Sequence, residues 1–365
     1  MKTSILTQAT KQQGTLTEVN GYAVVSTYST EGAEYEALRN GVGLYDLSAV
    51  GKYLVKGDEH VEFLNHLVTK DIEFLDVEKT IYTLLLNEEG NVIDAVTLYK
   101  REESILIETS VQGRDAVGAW LEERKTGDVE IEDLSDALSI LAVEGPYSWK
   151  AAAGLIDFDI SLLPFQSFVE NEIDGVQAIF CRNGVTGEYG YKVVIESEAA
   201  AGVWEKLLGH DASQYPVQAV GHSTLEVAML EVRQPNVAVE TADVNVFESC
   251  LEWVVSFYKE DFVGREALEA KRGEGVNRRI IGFSVEAGSL SEQDSIVLED
   301  ETIGTVLQVR DSGFLGKKLG LALVDELFAV SGIALEATNQ AGERVTVQTI
   351  SSPYILPKSW AIKIA

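Results

Sequence analysis

From Arg278 onward the chain is written in short β-rich runs broken by glycines: "RRIIGFSV", "TIGTVLQV", "LGLALV", "GIALEA" and "RVTVQTI". Five or six such strands within about 90 residues predict a small β-barrel at the end of the chain. Upstream the texture differs, because helical periodicity alternates with strand-like runs. The expected fold class is therefore α+β with an appended all-β domain.

The amphipathic stretch "GAEYEALRNGVGLYDLS" closes the first forty-odd residues, and "GKYLVKG" then alternates like a strand. In "DEHVEFLNHLVTKDI", Val61, Leu64, Leu67 and Val68 share one helical face, with Asp58 placed to cap the start. "TIYTLLLNEEGNVIDAVTLYK" is two apolar runs around a turn at Asn87–Gly90, which reads as a β-hairpin. "ILIETS", a helix "GRDAVGAWLEER" and the strand-like "LSILAVEGP" follow, then a short helix "YSWKAAAGL". "VQAIFCRNG" and "YGYKVVIES" form a second hairpin, and "EAAAGVWEKLL" and "HSTLEVAMLEV" read as helices. The chain shows no low-complexity segment and no convincing repeat.

The length of 365 residues suggests two or three domains, and 45% hydrophobic with 24% charged residues is the composition of a soluble globular protein. No apolar run approaches the ~18 residues that span a bilayer. The first residues lack the apolar core of a signal peptide. Cys181 and Cys250 are too few for a disulfide framework, so a reduced, cytoplasmic location is expected. A net charge of −30 repels nucleic acid and anionic membrane, and neither is an expected partner. The acid runs "NEEG", "REES" and "LEDET" read as loops and turn flanks.

The four histidines, His60, His66, His210 and His222, lack metal-ligand spacing, and no metal is expected. A Ser/His/Asp triad stays open, although no "GxSxG" elbow supports one. The stretch "GVTGEYGYKVVI" (Gly184–Ile195) sets Gly184, Gly187 and Gly190 at three-residue spacing just ahead of a strand that carries Lys192. It lies between two strands, so it is neither a P-loop nor a dinucleotide fingerprint, both of which need a helix after the loop. A wide hairpin turn using glycine for positive φ is one reading, and a ligand-cradling loop is the other. Asp94, in "NVIDAVTLY", shares a strand face with Val92 and Val96, while Ile93, Ala95 and Thr97 take the other. A carboxylate there either faces solvent at an edge or needs a partner or a task.

Taken together these stretches resemble the T-protein of the glycine cleavage system, an aminomethyltransferase, and its wider folate-binding family. The resemblance rests on "GLYDLSAVGKYLVKGDEHVEFLNHLVTKDI", "YTLLLNEEGNVIDAVTLY", "LAVEGP", "GVTGEYGYKVVI", "DFVGREAL" and the barrel-like end, in order and across nearly the whole chain. It implies a three-domain cloverleaf with a C-terminal β-barrel. The domains expected are 1–45 with 145–270, then 46–144, and a barrel over 275–365. An iron–sulfur assembly branch of the family carries a "KGC" motif, and the matching stretch here, "KEDFVGREAL", has no cysteine.

The resemblance further implies an enzyme of the aminomethyltransferase or demethylase kind. It would move a methyl or aminomethyl group from a small-molecule substrate to tetrahydrofolate, with Asp94 as the catalytic carboxylate. Tyr82, Tyr99, Lys192, His222 and Trp360 then line the cofactor pocket. The family hairpin carries two adjacent aspartates, and here Asp94 is followed by Ala95. The family glutamate that holds the pterin ring falls at Lys192, whose ammonium has three donors and no acceptor. The arginine of the family "ARD" falls at His222, and the arginine and glutamate of "LRLE" fall at Glu226 and Ala228. The alternative is a T-protein scaffold that no longer uses folate in the usual way, with Lys192 and His222 serving a small organic anion. Lys192 could equally pair with a nearby acid such as Glu188 or Glu196. The −30 charge opposes docking of an acidic lipoyl carrier protein, which is not an expected partner.

Overall fold

The computed structural model describes residues 1–210 and 214–364. Two compact units divide the chain: Met1–Leu85, Ile93–Glu226 and Pro357–Ala365 form one, and Leu86–Val92 with Val227–Leu356 form the other. The expectation of an α+β chain carrying a β-barrel holds.

In the first unit a hairpin of β1 (Thr15–Val19) and β2 (Tyr22–Thr27) stands apart from an eleven-stranded sheet. The sheet strands in chain order are β3 (Val42–Asp46), β4 (Lys52–Lys56), β5 (Lys79–Leu86), β6 (Val92–Lys100), β7 (Ser104–Glu108) and β8 (Glu130–Asp133). They continue with β9 (Leu138–Glu144), β10 (Ser167–Ile173), β11 (Val176–Arg182), β12 (Gly190–Glu196) and β13 (Val217–Ala219). Their spatial order is β13-β3-β9-β12-β11-β10-β5-β6-β7-β4-β8. The helices are α1 (Ile5–Thr10), α2 (Glu31–Asn40), α3 (His60–Leu67), α4 (Arg114–Arg124), α5 (Ser148–Ala152) and α6 (Ser197–Leu208).

Strand β12 and strand β7 stand five places apart in that order. Neighbouring strands lie ~4.8 Å apart, so a flat sheet would separate them by roughly 24 Å. Yet Lys192 Nζ on β12 lies 2.5 Å from Glu108 Oε1 on β7. The sheet is therefore folded over on itself. The crease falls where β10 meets β5, a junction with the single register pair Ser167↔Lys79, whereas β10 and β11 pair along their whole length. Between the two halves pack Tyr99, Leu106, Ile140, Phe168, Ile179 and Val194. The opposite face of β12 presents Tyr191, Val193 and Ile195 to a larger core that includes Ala200, Val203, Trp204 and Leu207 of α6. Both faces of the strand are buried, so its apolar pattern is nearly continuous.

Local chemistry sets the helices. Thr30 caps α2 by accepting from the Ala33 amide at 3.3 Å, with Glu31 and Glu34 in the first turn and Arg39 in the last, each complementing the helix dipole. Helix α3 differs from the sequence expectation. Glu59, not Asp58, is its cap residue, and no side chain caps it. Because the helix begins at His60, its buried face is His60, Phe63, Leu64 and Leu67, and Val61 falls on the flank.

The second unit contains the closed barrel, ordered β14-β17-β16-β15-β18-β19. Its strands are β14 (Arg278–Val285), β15 (Ser295–Leu298), β16 (Glu301–Ser312), β17 (Lys317–Asp325), β18 (Ala334–Thr338) and β19 (Arg344–Ile350). Closure is completed by β14, which pairs with both β17 and β19. Five of these strands were legible as glycine-broken runs; Ser295–Leu298 was too short to read. Phe283, Ile296, Val306, Val324 and Val347 fill the barrel interior.

Candidate functional site

The first unit holds all six candidate residues. Two of them meet. Glu108, 7% exposed, accepts from Lys192 Nζ at 2.5 Å through Oε1 and from the Tyr99 hydroxyl at 2.5 Å through Oε2. Alternation along β12 puts Lys192 on the face of Val194, inside the fold of the sheet. Burial acts to lower the Lys192 ammonium, but the charge and hydrogen bond of Glu108 outweigh it and hold the pKa above the usual lysine value. Burial and the Glu108 charge push the Tyr99 phenol well up, so it stays a hydrogen-bond donor. Neither Glu188 nor Glu196 is the partner of Lys192.

The glycine loop wraps a different carboxylate. Glu144, at the end of β9, accepts from the amides of Val185 (3.0 Å) and Thr186 (2.9 Å), from the Thr186 hydroxyl and from the Tyr45 phenol. Glycine is required where the loop closes. A Cβ on Gly184 would stand 2.8 Å from Glu144 Oε2, and one on Gly190 would stand 2.6 Å from the Gly184 Cα. Within the loop only Gly187 has positive φ, at 78°. Strands β11 and β12 on either side pair antiparallel, with Cys181 opposite Lys192, so the stretch is a hairpin connection built around a buried acid.

Asp94 stands elsewhere. Tyr99 lies five residues on along β6, so alternation sets the two on opposite faces, with Ala95 on the face of Tyr99. The Asp94 carboxylate is 1% exposed, accepts from the Ser110 amide at 2.8 Å and abuts Gly113, the cap residue of α4. Burial pushes its pKa up to about 6, against the hydrogen bonds of Ser110 and the Ala95 amide. Tyr82, on β5, is half-buried. His222 is the first residue of α7 (His222–Val232), with Nε2 3.7 Å from Glu226 Oε1. Trp360 is 69% exposed on the turn Lys358–Ala361. A groove of about 1000 Å³ lined by Lys56, His60, Arg101, Glu103, Glu130 and Glu170 among others includes none of these six residues, so it is not the candidate site.

Several residues that organise the site escaped sequence reading. Glu34 on α2 is fully buried and accepts from the amides of Tyr28 (2.6 Å), Ser29 (2.7 Å) and Gly221 (2.7 Å), which ties α2 to the start of α7. Lys52, fully buried on β4, donates to Ser48 O at 2.7 Å, and burial with the nearby Arg114 charge lowers its pKa to about 7. Glu108 carried the same signal as Asp94, an acid within an apolar strand run, "ILIETS". Among the described residues no group of three or more His, Cys, Asp or Glu is arranged to hold a metal ion, and no helix is long and apolar enough to cross a membrane.

Comparison with known proteins gives the family. The family described as "GCVT N-terminal domain" matches residues 5–259, and "Glycine cleavage T-protein C-terminal barrel domain" matches residues 278–355. The chain belongs to the glycine cleavage T-protein family. Similar curated proteins are each named aminomethyltransferase. That of Listeria monocytogenes serotype 4b is 31% identical over 326 residues, covering 88% of this chain and 89% of the relative. Those of Alkaliphilus oremlandii and Thermoanaerobacter sp. strain X514 are 30% identical, covering 88% and 92% of this chain and 89% and 92% of their own lengths. The crystal structure of the glycine cleavage system aminomethyltransferase T from Bartonella henselae matches with a TM-score of 0.89 and 23% identity over 98% of both chains. That structure shares the fold. In this chain Lys192, the position at which the resemblance sets the family glutamate, is paired with Glu108.

Proposed function

We propose that this T-protein family chain transfers a one-carbon unit from a small donor to tetrahydrofolate, with Glu108 supplying the carboxylate that the family resemblance places at position 192. The observation that carries this reading is the Glu108–Lys192 contact. The resemblance expects a carboxylate where Lys192 stands on β12, and the contact sets the Glu108 carboxylate of β7 beside that ammonium. Each carboxylate oxygen accepts about two hydrogen bonds, and Lys192 and Tyr99 occupy one each. The capacity left over fits the paired N–H donors of a pterin ring.

Tetrahydrofolate, when bound, supplies the ring nitrogens that receive the one-carbon unit. Glu108 orients that ring, and Lys192 holds Glu108 in place inside the sheet through the 2.5 Å contact. Tyr99 fixes the carboxylate plane. We assign Asp94 to holding the turn Ser110–Gly113 rather than to the donor, because it lies across the strand from Tyr99. The transfer then draws on positioning more than on a carboxylate at position 95, which is alanine. The organic-anion alternative loses its charge, since Lys192 already has a counter-ion at 2.5 Å.

Calorimetric titration with tetrahydrofolate tests the reading. The native protein is expected to bind, and Glu108→Gln is expected to weaken binding roughly 10–100-fold, the worth of a hydrogen bond to a charged group. Absence of heat from the native protein at high micromolar ligand would refute folate use. Equal affinity in Glu108→Gln would refute the role given to Glu108.

A further inference from the structure

The segment 357–364 runs along the outer side of the glycine loop, and the loop reads it closely. Glu188 accepts from the amides of Lys358 (3.1 Å) and Ser359 (2.9 Å) and from the Ser359 hydroxyl (2.6 Å). The same Ser359 Oγ accepts from the Tyr189 amide at 2.8 Å, and the Tyr189 hydroxyl donates to Ile362 O. Arg39 braces the arrangement from α2, donating to Thr186 O at 2.7 Å with its guanidinium 3.5 Å from Glu188. Glu188 and Ser359 are 7% and 5% exposed, so the bonds from the Ser359 amide and hydroxyl to Glu188 are buried. On the inner side, the amides of Val185 and Thr186 hold Glu144. The loop is therefore gripped from two sides, and β12 with Lys192 begins at its last glycine.

We propose that Ser359 and Glu188 are positioning residues of the site: the segment 357–364 is a strap that fixes the loop, and the loop fixes the register of β12 on which Lys192 and its Glu108 contact depend. This rests on the folate reading for its consequence and stands without it for its mechanics. A hydroxyl that both donates to Glu188 and accepts from Tyr189 is the single atom joining strap and loop on both sides. Removing it leaves the buried Glu188 carboxylate short of a donor and the part-buried Tyr189 amide without this acceptor.

Amide hydrogen exchange and folate calorimetry on the full chain test this in two arms. Ser359→Ala is expected to raise exchange at Val185 and Thr186 at least tenfold, with barrel amides in Arg278–Ile350 unchanged. Glu188→Gln is expected to do the same, and Ser359→Thr, which keeps the hydroxyl, is expected to restore protection. Unchanged exchange at Val185 and Thr186 overturns the strap, as does a rise that extends equally to the barrel or that Thr fails to correct. In the second arm Ser359→Ala is expected to weaken tetrahydrofolate binding about tenfold. Unchanged affinity alongside raised exchange overturns the link to the site. If the native protein binds no folate, the functional reading falls and the exchange arm alone decides the strap.

Discussion

Lys192→Met removes one member of a pair whose side chains are 3% and 8% exposed. Glu108 is then left inside the folded sheet with the Tyr99 hydroxyl as its donor from this cluster. Breaking a buried pair in this way costs about 3–5 kcal/mol, because the surviving charge is uncompensated. At about 2–4 °C per kcal/mol for a unit of this size, the melting temperature should drop by roughly 10 °C. The double variant Lys192→Met with Glu108→Gln removes both charges and should recover most of the loss. Because the Lys192 pKa is raised in the folded state, its contribution is fully present below the unfolded lysine value and is lost only as pH climbs through the higher folded value. Urea denaturation at pH 6 and at pH 8, read by amide exchange on β12, should therefore give the same deficit. A single-variant loss under about 1 kcal/mol, or a double variant as unstable as the sum of its singles, refutes the buried-pair reasoning.

Asp94→Asn should be more stable than the native protein above pH 6, by about 2 kcal/mol, and no different below pH 4. The folded pKa of about 6 lies above the ordinary aspartate value, so native stability falls as pH rises between the two; denaturation curves at pH 4 and pH 8 decide it. Lys52→Met should stabilise at pH 7 by about 2 kcal/mol, with the advantage vanishing near pH 10. Here the folded pKa, about 7, lies below the ordinary lysine value, so native stability grows as pH climbs from one to the other. Gly190→Ala should cost about 1–3 kcal/mol, because its Cβ would stand 2.9 Å from Asn183 O as well as against Gly184. Gly202→Ala, exposed in α6 with nothing within 4 Å of the new Cβ, should gain about 0.5–1 kcal/mol in the same thermal assay.

Elements whose signal is local were legible in the sequence. Alternation and glycine punctuation revealed five of the six barrel strands and both hairpins, and α4 and α6 were readable as helices. What was hidden is what depends on the crease between β10 and β5. Lys192 could be recognised as a charge on an apolar strand, but its neighbours along the chain, Glu188 and Glu196, were the natural partners to name. The real one sits on β7, brought near only because the sheet doubles over. Asp94 drew attention as an acid in an apolar run, and Glu108 deserved the same scrutiny by the same rule. The resemblance sets Trp360 in the cofactor pocket; its side chain is 69% exposed, and the segment that carries it meets the loop through the small hydroxyl of Ser359 beside it.

The crease also has a kinetic meaning. Glu108 and Lys192 are separated by 84 positions along the chain, and they meet only after both halves of the sheet exist. Contacts of such long range are rewarded late, after the loop-closure entropy has been met. An interaction absent from the folding transition state acts on the rate of unfolding and leaves the rate of folding almost untouched. Loss of the pair should thus give a protein that folds on schedule and comes apart sooner, so the lysine that marks this site also sets how long the folded state lasts.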